Sequence, residues 1–306
     1  MKYPTGRKMK MEYKTIPCMD EDEIFIQEKL EAINDSIAPP KEGAEDEILV
    51  FKIADDAGYI IAGCVLVIGN RKYADLDTLW VDERYRRQGL GSALIREAEK
   101  AARQRGCRTM VLGTFDFQAK PLYEKHGYTL CGVMRDWPRG HENNILMKKL
   151  DRYTDEYVPS NDLSAQFRVL PGDDEDGKAI DKKLSEYNAS QVPCEQKYIP
   201  FNKKIVDGEG RIIAAVFADV GSWNEGDIDM IWVDEPYRNR GIASALLAET
   251  ERELKENGAY VIFIDAYEWQ SSLFRKHGYS ECCTLVDFPV EGRRTYVLEK
   301  RFRQKL

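Results

Sequence analysis

The decapeptide RRQGLGSALI, from Arg86 to Ile95, returns as RNRGIASALL, from Arg238 to Leu247, 152 positions further on. The register holds well beyond these residues: Leu79–Ile95 lies over Ile231–Leu247 without a gap, and Gly106 lies over Gly258. After one residue is dropped, Tyr123–Tyr128 lies over Phe274–Tyr279. A period this long is the size of a domain, not of a solenoid unit, so the chain should fold as two copies of one architecture. The polar, proline-containing stretch 151–165 reads as a linker between a first domain over 1–150 and a second over 166–306.

Within the first copy, Ile24, Leu30, Ile33 and Ile37 stand among the apolar positions of a helical pattern. Two strand-like runs, Glu47–Asp55 and Tyr59–Gly69, flank a turn at Asp56–Gly58. A strand over Asp75–Val81 leads through the repeated loop into a helix from about Gly91 to Arg105. Then come a strand at Arg108–Phe115, a short helix around Leu122–Lys125, and two last strands starting near Tyr128 and Asn144. The second copy enters through a helix over Asp181–Pro193 and a hairpin that turns near Gly208–Gly210. Early hairpins with a strand–helix–strand unit predict an α/β fold class. Each tandem domain is then a mixed, mostly antiparallel sheet flanked by helices.

Composition narrows the function classes. An apolar share of 43% supports buried cores, and the net charge of −8 lacks the basic footprint of a nucleic-acid binder. Seven cysteines, with no CxxC pair and no histidine cluster, form neither a disulfide framework nor a zinc site, so no metal is expected. The basic amino terminus leads into no apolar run, and no stretch approaches the ~20 apolar residues of a membrane span. The chain reads as cytoplasmic, with no membrane partner.

The repeated loop carries the chemistry. A strand ending at Val81, a glycine turn and a helix start bring free backbone N–H groups and the positive end of a helix dipole to one point, where an anion binds. Gly89 and Gly91 clear side chains from that point, while Arg86 and Arg87 add charge. No Gly-Lys-Ser/Thr follows, which excludes a P-loop, and Leu94 stands where a dinucleotide fingerprint has its third glycine.

Arg86-Arg87-Gln88-Gly89-Leu90-Gly91 and Arg238-Asn239-Arg240-Gly241-Ile242-Ala243 both resemble the Arg/Gln-x-x-Gly-x-Gly/Ala signature of the GNAT superfamily of N-acetyltransferases. The preceding WVDE-x-YR and the later LYEKHGY resemble that family too, at matching distances. The resemblance implies acetyl-CoA as cosubstrate and a small-molecule primary amine as acceptor. It places the pyrophosphate at Val81, Arg86–Gly91 and Ser92, and again at Val233, Arg238–Ala243 and Ser244.

Family members often use a tyrosine after the fifth strand to protonate the leaving thiolate. Tyr123 matches that position, and Phe274 occupies it in the second copy. An acid on the strand before the loop often serves as base. Asp75 and Asp77 are the candidates in the first copy, Asp227 and Asp229 in the second, and strand alternation puts Asp75, Asp77, Leu79 and Val81 on one face. Asp75 falls where histone-acetylating members carry their glutamate. Asp116 replaces an asparagine that many members use to hold the cofactor arm, with Gln118 as a substitute. His126 and His277 read as structural turn residues, Cys282-Cys283 as packing, and Trp137, Arg139 and His141 as an acceptor-pocket group. The first copy is thus expected to be catalytic and the second accessory. A catalytic second copy, a CoA-binding regulator without turnover, a protein-lysine acetyltransferase and a homodimer are all left open by the sequence.

Overall fold

The computed structural model describes residues 14–150 and 167–302, so the linker expected at 151–165 lies outside the described residues. In the first half the order is β1 (Thr15–Pro17), α1 (Asp20–Ile37), β2 (Glu47–Ala54), β3 (Ile60–Ile68), β4 (Tyr73–Val81), α2 (Leu90–Gln104), β5 (Thr109–Phe115), α3 (Lys120–Lys125), β6 (Thr129–Arg135) and β7 (Glu142–Lys149). In the second it is β8 (Leu170–Gly172), α4 (Asp174–Gln191), β9 (Ile199–Pro200), β10 (Lys203–Val206), β11 (Ile212–Val220), β12 (Glu225–Val233), α5 (Ile242–Glu256), β13 (Val261–Tyr267), α6 (Ser271–Lys276), β14 (Ser280–Val286) and β15 (Arg294–Arg301).

These strands form one 15-stranded sheet in the order β1-β10-β11-β12-β13-β15-β14-β6-β7-β5-β4-β3-β2-β8, with β9 on β11. Pairing is antiparallel except for β4 with β5 and β12 with β13, which are the expected strand–helix–strand crossovers. At the middle of the joined sheet the two copies are linked by a single bridge, where Gly132 on β6 faces Cys283 on β14. A Cβ on Gly132 would collide with the Cys282 carbonyl and the Cys283 backbone, so the close approach requires glycine. Cys283, 2% exposed, packs there with Met134, Phe263, Phe288 and Val297, which makes the cysteine pair part of the inter-repeat core.

The copies exchange their first helices. β1 pairs with β10, and α1 covers the second sheet, burying Ile26 completely against Ala215, Phe217 and Trp232. Reciprocally, β8 pairs with β2, and Ile180 of α4 is buried against Val50, Val65 and Trp80 of the first sheet. The packing units therefore differ from the sequence units, because periodicity identifies an apolar stripe without saying which sheet it covers. On α1 that stripe runs through Ile26, whereas Ile24 is 63% exposed. α4 begins seven residues before its apparent sequence start, at a capping box formed by Asp173 and Asp176. Gly177 lets this first turn settle against Val50.

On the opposite face, α2 buries Leu90, Leu94, Ala98, Ala101 and Ala102, a helical stripe rich in alanine that brings the helix close to the strands. Glu99 in that face, 2% exposed, is matched by Lys148 of β7 at 2.7 Å; α5 repeats the device with Glu251 and Lys300 at 2.6 Å.

Candidate functional site

Strand β4 has nine residues, yet it pairs with β5 only at Tyr73–Asp75 against Thr109–Val111. Beyond Asp75 the two strands splay and the sheet opens into a wedge. In the second copy the β12–β13 ladder likewise stops after Asp227 and Phe263. Each splay sits beside its Gly-rich loop.

The loop geometry is the same in both copies. Asp82 and Asp234 each start a single turn of 3-10 helix, after which Arg86 Nε donates to the Val81 carbonyl at 3.1 Å and Arg238 Nε to the Val233 carbonyl at 2.9 Å. Arg87 (φ 64°) and Asn239 (φ 60°) take left-handed backbone, as do Gly89 and Gly241 at the helix entries. Neither helix entry is capped by a side chain, so the first-turn N–H groups of α2 and α5 face outward. Ser92 and Ser244 accept or donate a 2.9 Å bond with Nε2 of His126 and His277 respectively. These histidines tie the α3 and α6 turns to the loop helices, and His126 is only 2% exposed.

The first cleft measures 870 Å³. Arg86, Arg87, Gly89, Leu90, Gly91 and Ser92 all line it, with Val81 on the adjoining strand; Gln88 is not on this wall, and its amide donates to the Arg84 carbonyl at 3.3 Å. Tyr123 lines the same cleft, almost wholly buried beside Tyr128, and burial pushes its phenol far above the usual tyrosine range. Leu184 and Tyr187, from α4 of the other copy, complete the wall.

The second cleft, of 520 Å³, brings together Val233, Arg238, Asn239, Gly241, Ile242, Ala243 and Ser244. Arg240 turns away to the Pro236 carbonyl at 2.6 Å. Phe274 stands at the Tyr123 position, packed on Tyr279, and Leu30, Ile33 and Ile37 of α1 close the cleft. Sequence reasoning did not identify these helix residues as part of either site, since the exchange that brings them there leaves no local signal.

A third cavity, of 650 Å³, lies between the copies. Asp75, Asp227, Asp229 and Asp265 line it, and Gly113 belongs to both this chamber and the first cleft. The alternation expected on β4 is broken by a bulge: Val65 and Val67 face Thr78 and Asp75, two steps on β3 against three on β4. Asp75 therefore lines the chamber while Asp77 lines the first cleft. Burial, with Asp77 and Asp265 nearby, pushes the Asp75 carboxyl up to about 7. Asp77 is raised too, by burial and by Asp181 of α4.

Of the acceptor-pocket group, Trp137 lines the chamber. Arg139 instead stacks on the Tyr260 ring at 4.0 Å, and His141 Nδ1 pairs with Asp116 Oδ1 at 3.0 Å. Gln118 lines the first cleft and donates to Asn188 of α4 at 2.8 Å. Among the described residues no group of His, Cys, Asp and Glu is arranged to hold a metal ion, and no helix is long and apolar enough to cross a membrane.

A splayed parallel strand pair with an anion-binding loop, built twice in one sheet, defines a tandem α/β transferase-type fold. The chain belongs to the acetyltransferase (GNAT) family, whose model matches residues 13–128 and 175–279. A blasticidin-S acetyltransferase of Streptomyces morookaense is 41% identical over 80 residues, which are 26% of this chain and 59% of that protein. An acetyltransferase of Agrobacterium fabrum is 32% identical over 79 residues, 26% of this chain and 58% of its own length. The chain thus spans under two thirds of either relative. A crystal structure of an acetyltransferase from Bacillus cereus is 30% identical, with a TM-score of 0.42, over 44% of this chain and 97% of that one.

Proposed function

We propose that this chain transfers an acetyl group from acetyl-CoA to a primary amine of a small molecule, and that the first copy does the chemistry. The observation that carries this reading is the first cleft, where the α2 entry, Arg86 and Tyr123 line one wedge. The outward N–H groups and Arg86 suit a pyrophosphate, and Gly91, whose Cβ would stand 3.1 Å from Leu122, keeps the approach open. Acetyl-CoA, when bound, supplies a thioester activated toward nucleophiles.

The residues then divide the proton transfers. Asp75, with a carboxyl near neutrality, takes the proton of the acceptor ammonium and frees its lone pair. The amine nitrogen forms a bond to the acyl carbon as the carbon–sulfur bond breaks. Tyr123 donates its hydroxyl proton to the departing sulfur, and the proton shed by the newly acylated nitrogen restores the phenol. Burial keeps that phenol protonated until the moment of transfer.

The second copy keeps a cradle for acetyl-CoA but has Phe274, which has no proton to give. Its role in this reading is accessory. The likeness to a protein named for blasticidin-S supports a small-molecule acceptor. Thiol release from acetyl-CoA, measured with a panel of small amines, tests the proposal. Acetyl-CoA binding without thiol release from any amine would make the chain a CoA-binding regulator instead.

A further inference from the structure

We infer that Asn188, in the last turn of α4, is a positioning residue for the chemistry of the first copy. By gripping the loop that leads into α3 it sets where Tyr123 stands, so the second copy supplies part of the first copy's catalytic geometry. This rests on the reading of Tyr123 as general acid and goes beyond it, since it names what holds that acid in place.

Tyr123 lies in a helix of six residues, Lys120–Lys125. A helix so short has little stability of its own, and its place is set by what fastens its two ends. The far end is fixed within the first copy, by His126 on Ser92 at 2.9 Å. At the near end Lys120 Nζ reaches Asn144 Oδ1 of β7 at 3.0 Å, but the helix entry at Ala119 has no side-chain cap. The chain arrives there through Asp116–Ala119, and two bonds from α4 land on that loop. The Tyr187 hydroxyl donates to the Phe117 carbonyl at 3.1 Å, and Gln118 Nε2 donates to Asn188 Oδ1 at 2.8 Å.

Gln118 ties the loop to itself as well as to α4. Its Oε1 accepts from the Phe115 N–H at 2.9 Å and from the Thr114 hydroxyl at 3.2 Å. A backbone N–H must meet the oxygen of the amide, so the amide cannot turn over, and its nitrogen is left facing Asn188. Through Gln118 the asparagine therefore holds the end of β5 and the start of α3 in one unit, and Gln118, Ala119, Leu122 and Tyr123 all line the first cleft.

The repeat supplies a second, independent observation. α1 and α4 each run 18 residues, from Asp20 and from Asp174, which lays Asn34 over Asn188. Asn34 Oδ1 accepts from Trp269 Nε1 at 3.1 Å, in the loop before α6, and there Gln270 Oε1 accepts from the Tyr267 N–H at 3.1 Å. Each exchanged helix thus ends on an asparagine that receives a donor from the other copy's loop. The clamps differ where the chemistry differs. Ile33 stands at the Tyr187 position and has no hydroxyl to give, and α1 grips Trp269 instead of the glutamine. Among the described residues, the loop before Tyr123 takes two side-chain bonds from its exchanged helix, and the loop before Phe274 takes one.

The test is a double-mutant cycle on the full chain. Asn188→Leu removes the acceptor at similar volume, Asn188→Asp keeps an oxygen there, and each is made alone and with Tyr123→Phe; Asn188→Ala repeats the cycle by truncation if leucine disturbs the helix end. Thiol release from acetyl-CoA is followed with 1-aminobutane, benzylamine and tyramine. In Asn188→Leu kcat should fall about tenfold or more, as a slightly misplaced acid does, while Asn188→Asp stays within about threefold of wild type. Acetyl-CoA affinity should change less than about threefold in both, because Asn188 does not line the cleft. With phenylalanine at 123, Asn188→Leu should cost nothing further, since its effect passes through the phenol. Hydrogen exchange reads the clamp without any acceptor: the α3 amides should exchange faster in Asn188→Leu, and those of α2 should not. Wild-type kcat in Asn188→Leu, an equal loss in the Tyr123→Phe background, or unchanged α3 exchange would each overturn the inference and leave the general acid standing. Wild-type kcat in Tyr123→Phe alone is a different outcome, which sinks the general-acid reading and the clamp together.

Discussion

The Arg86 guanidinium lies 4.7 Å from the centre of the Tyr187 ring, and the two side chains come from different copies of the repeat. Tyr187 is held in turn by its hydroxyl, which donates to the Phe117 carbonyl at 3.1 Å. An aromatic face over a guanidinium fixes its plane, with a worth of about 0.5–1 kcal/mol at such a site. In the second cleft α1 offers Ile33 and no ring. Helix exchange thus makes the first anion site depend on the second copy.

Tyr187→Ala should therefore raise the dissociation constant for acetyl-CoA roughly two- to fivefold, while Tyr187→Phe, which keeps the ring, should stay near wild type. Titration with acetyl-CoA decides it: if the alanine variant binds as well as wild type, α4 is only a lid over the sheet.

Two matching loops predict two binding events per chain. Gly91→Glu places bulk against Leu122 and negative charge at the α2 entry, and Ala243→Glu does the same at α5. Calorimetry should show the stoichiometry falling from two to one in either variant and to zero in both together. Thiol release should be lost only in Gly91→Glu. Its loss in Ala243→Glu alone would move the chemistry to the second copy.

Much of this was legible in the sequence because it is local. The loops, their flanking strand and helix, and the Tyr123–Phe274 difference all lie within short windows whose residue types dictate their geometry. The turn histidines, which the sequence reads as structural, hold Ser92 and Ser244 of the loop helices. What escaped was long-range. No pattern in Asp174–Gln191 says that α4 covers the first sheet, and the bulge that sends Asp75 and Asp77 to different cavities has no marker in YADLDTLWV. The acidic chamber combines Asp75, Asp227 and Asp265 from three strands that only the joined sheet assembles.

His126 should matter to stability rather than to chemistry. Its bond to Ser92 is buried, so His126→Ala leaves a hydroxyl without its partner at a cost of about 1–3 kcal/mol. Urea unfolding should register that loss while kcat of the folded fraction stays within a few-fold. A thousandfold fall in kcat with unchanged stability would make the histidine catalytic after all.

The chamber acids give stability a definite slope with pH. Asp75 titrates near 7 in the fold against an ordinary value of 3.8, so between those values the folded state holds the extra proton. Stability contributed by the neutral carboxyl is then fully present below about 4 and is lost as pH rises through 7. Asp219 and Asp265, raised to about 6, act in the same direction. Asp75→Asn should accordingly raise the thermal midpoint by a few degrees at pH 8 and confer no gain at pH 4. A gain of equal size at both pH values would mean that folding does not raise the carboxyl.

Tyr123 and Phe274 make the sharpest comparison, because the fold has already shown that phenylalanine packs in this place. Each ring sits edge-on to the next tyrosine, Tyr123 to Tyr128 at 6.0 Å and Phe274 to Tyr279 at 5.8 Å. Tyr123→Phe should therefore fold and bind acetyl-CoA as wild type does, and lose only the proton. A general acid contributes on the order of 10²–10⁴ in rate, so kcat should fall at least a hundredfold while KM for acetyl-CoA changes little. Since burial raises the phenol, the wild-type rate should show no basic limb from its ionisation up to about pH 9. Its acidic limb should follow Asp75, with activity falling as pH drops below about 7. A variant that keeps its kcat and loses acetyl-CoA affinity would make Tyr123 a wall of the cleft, as Phe274 is in the other copy.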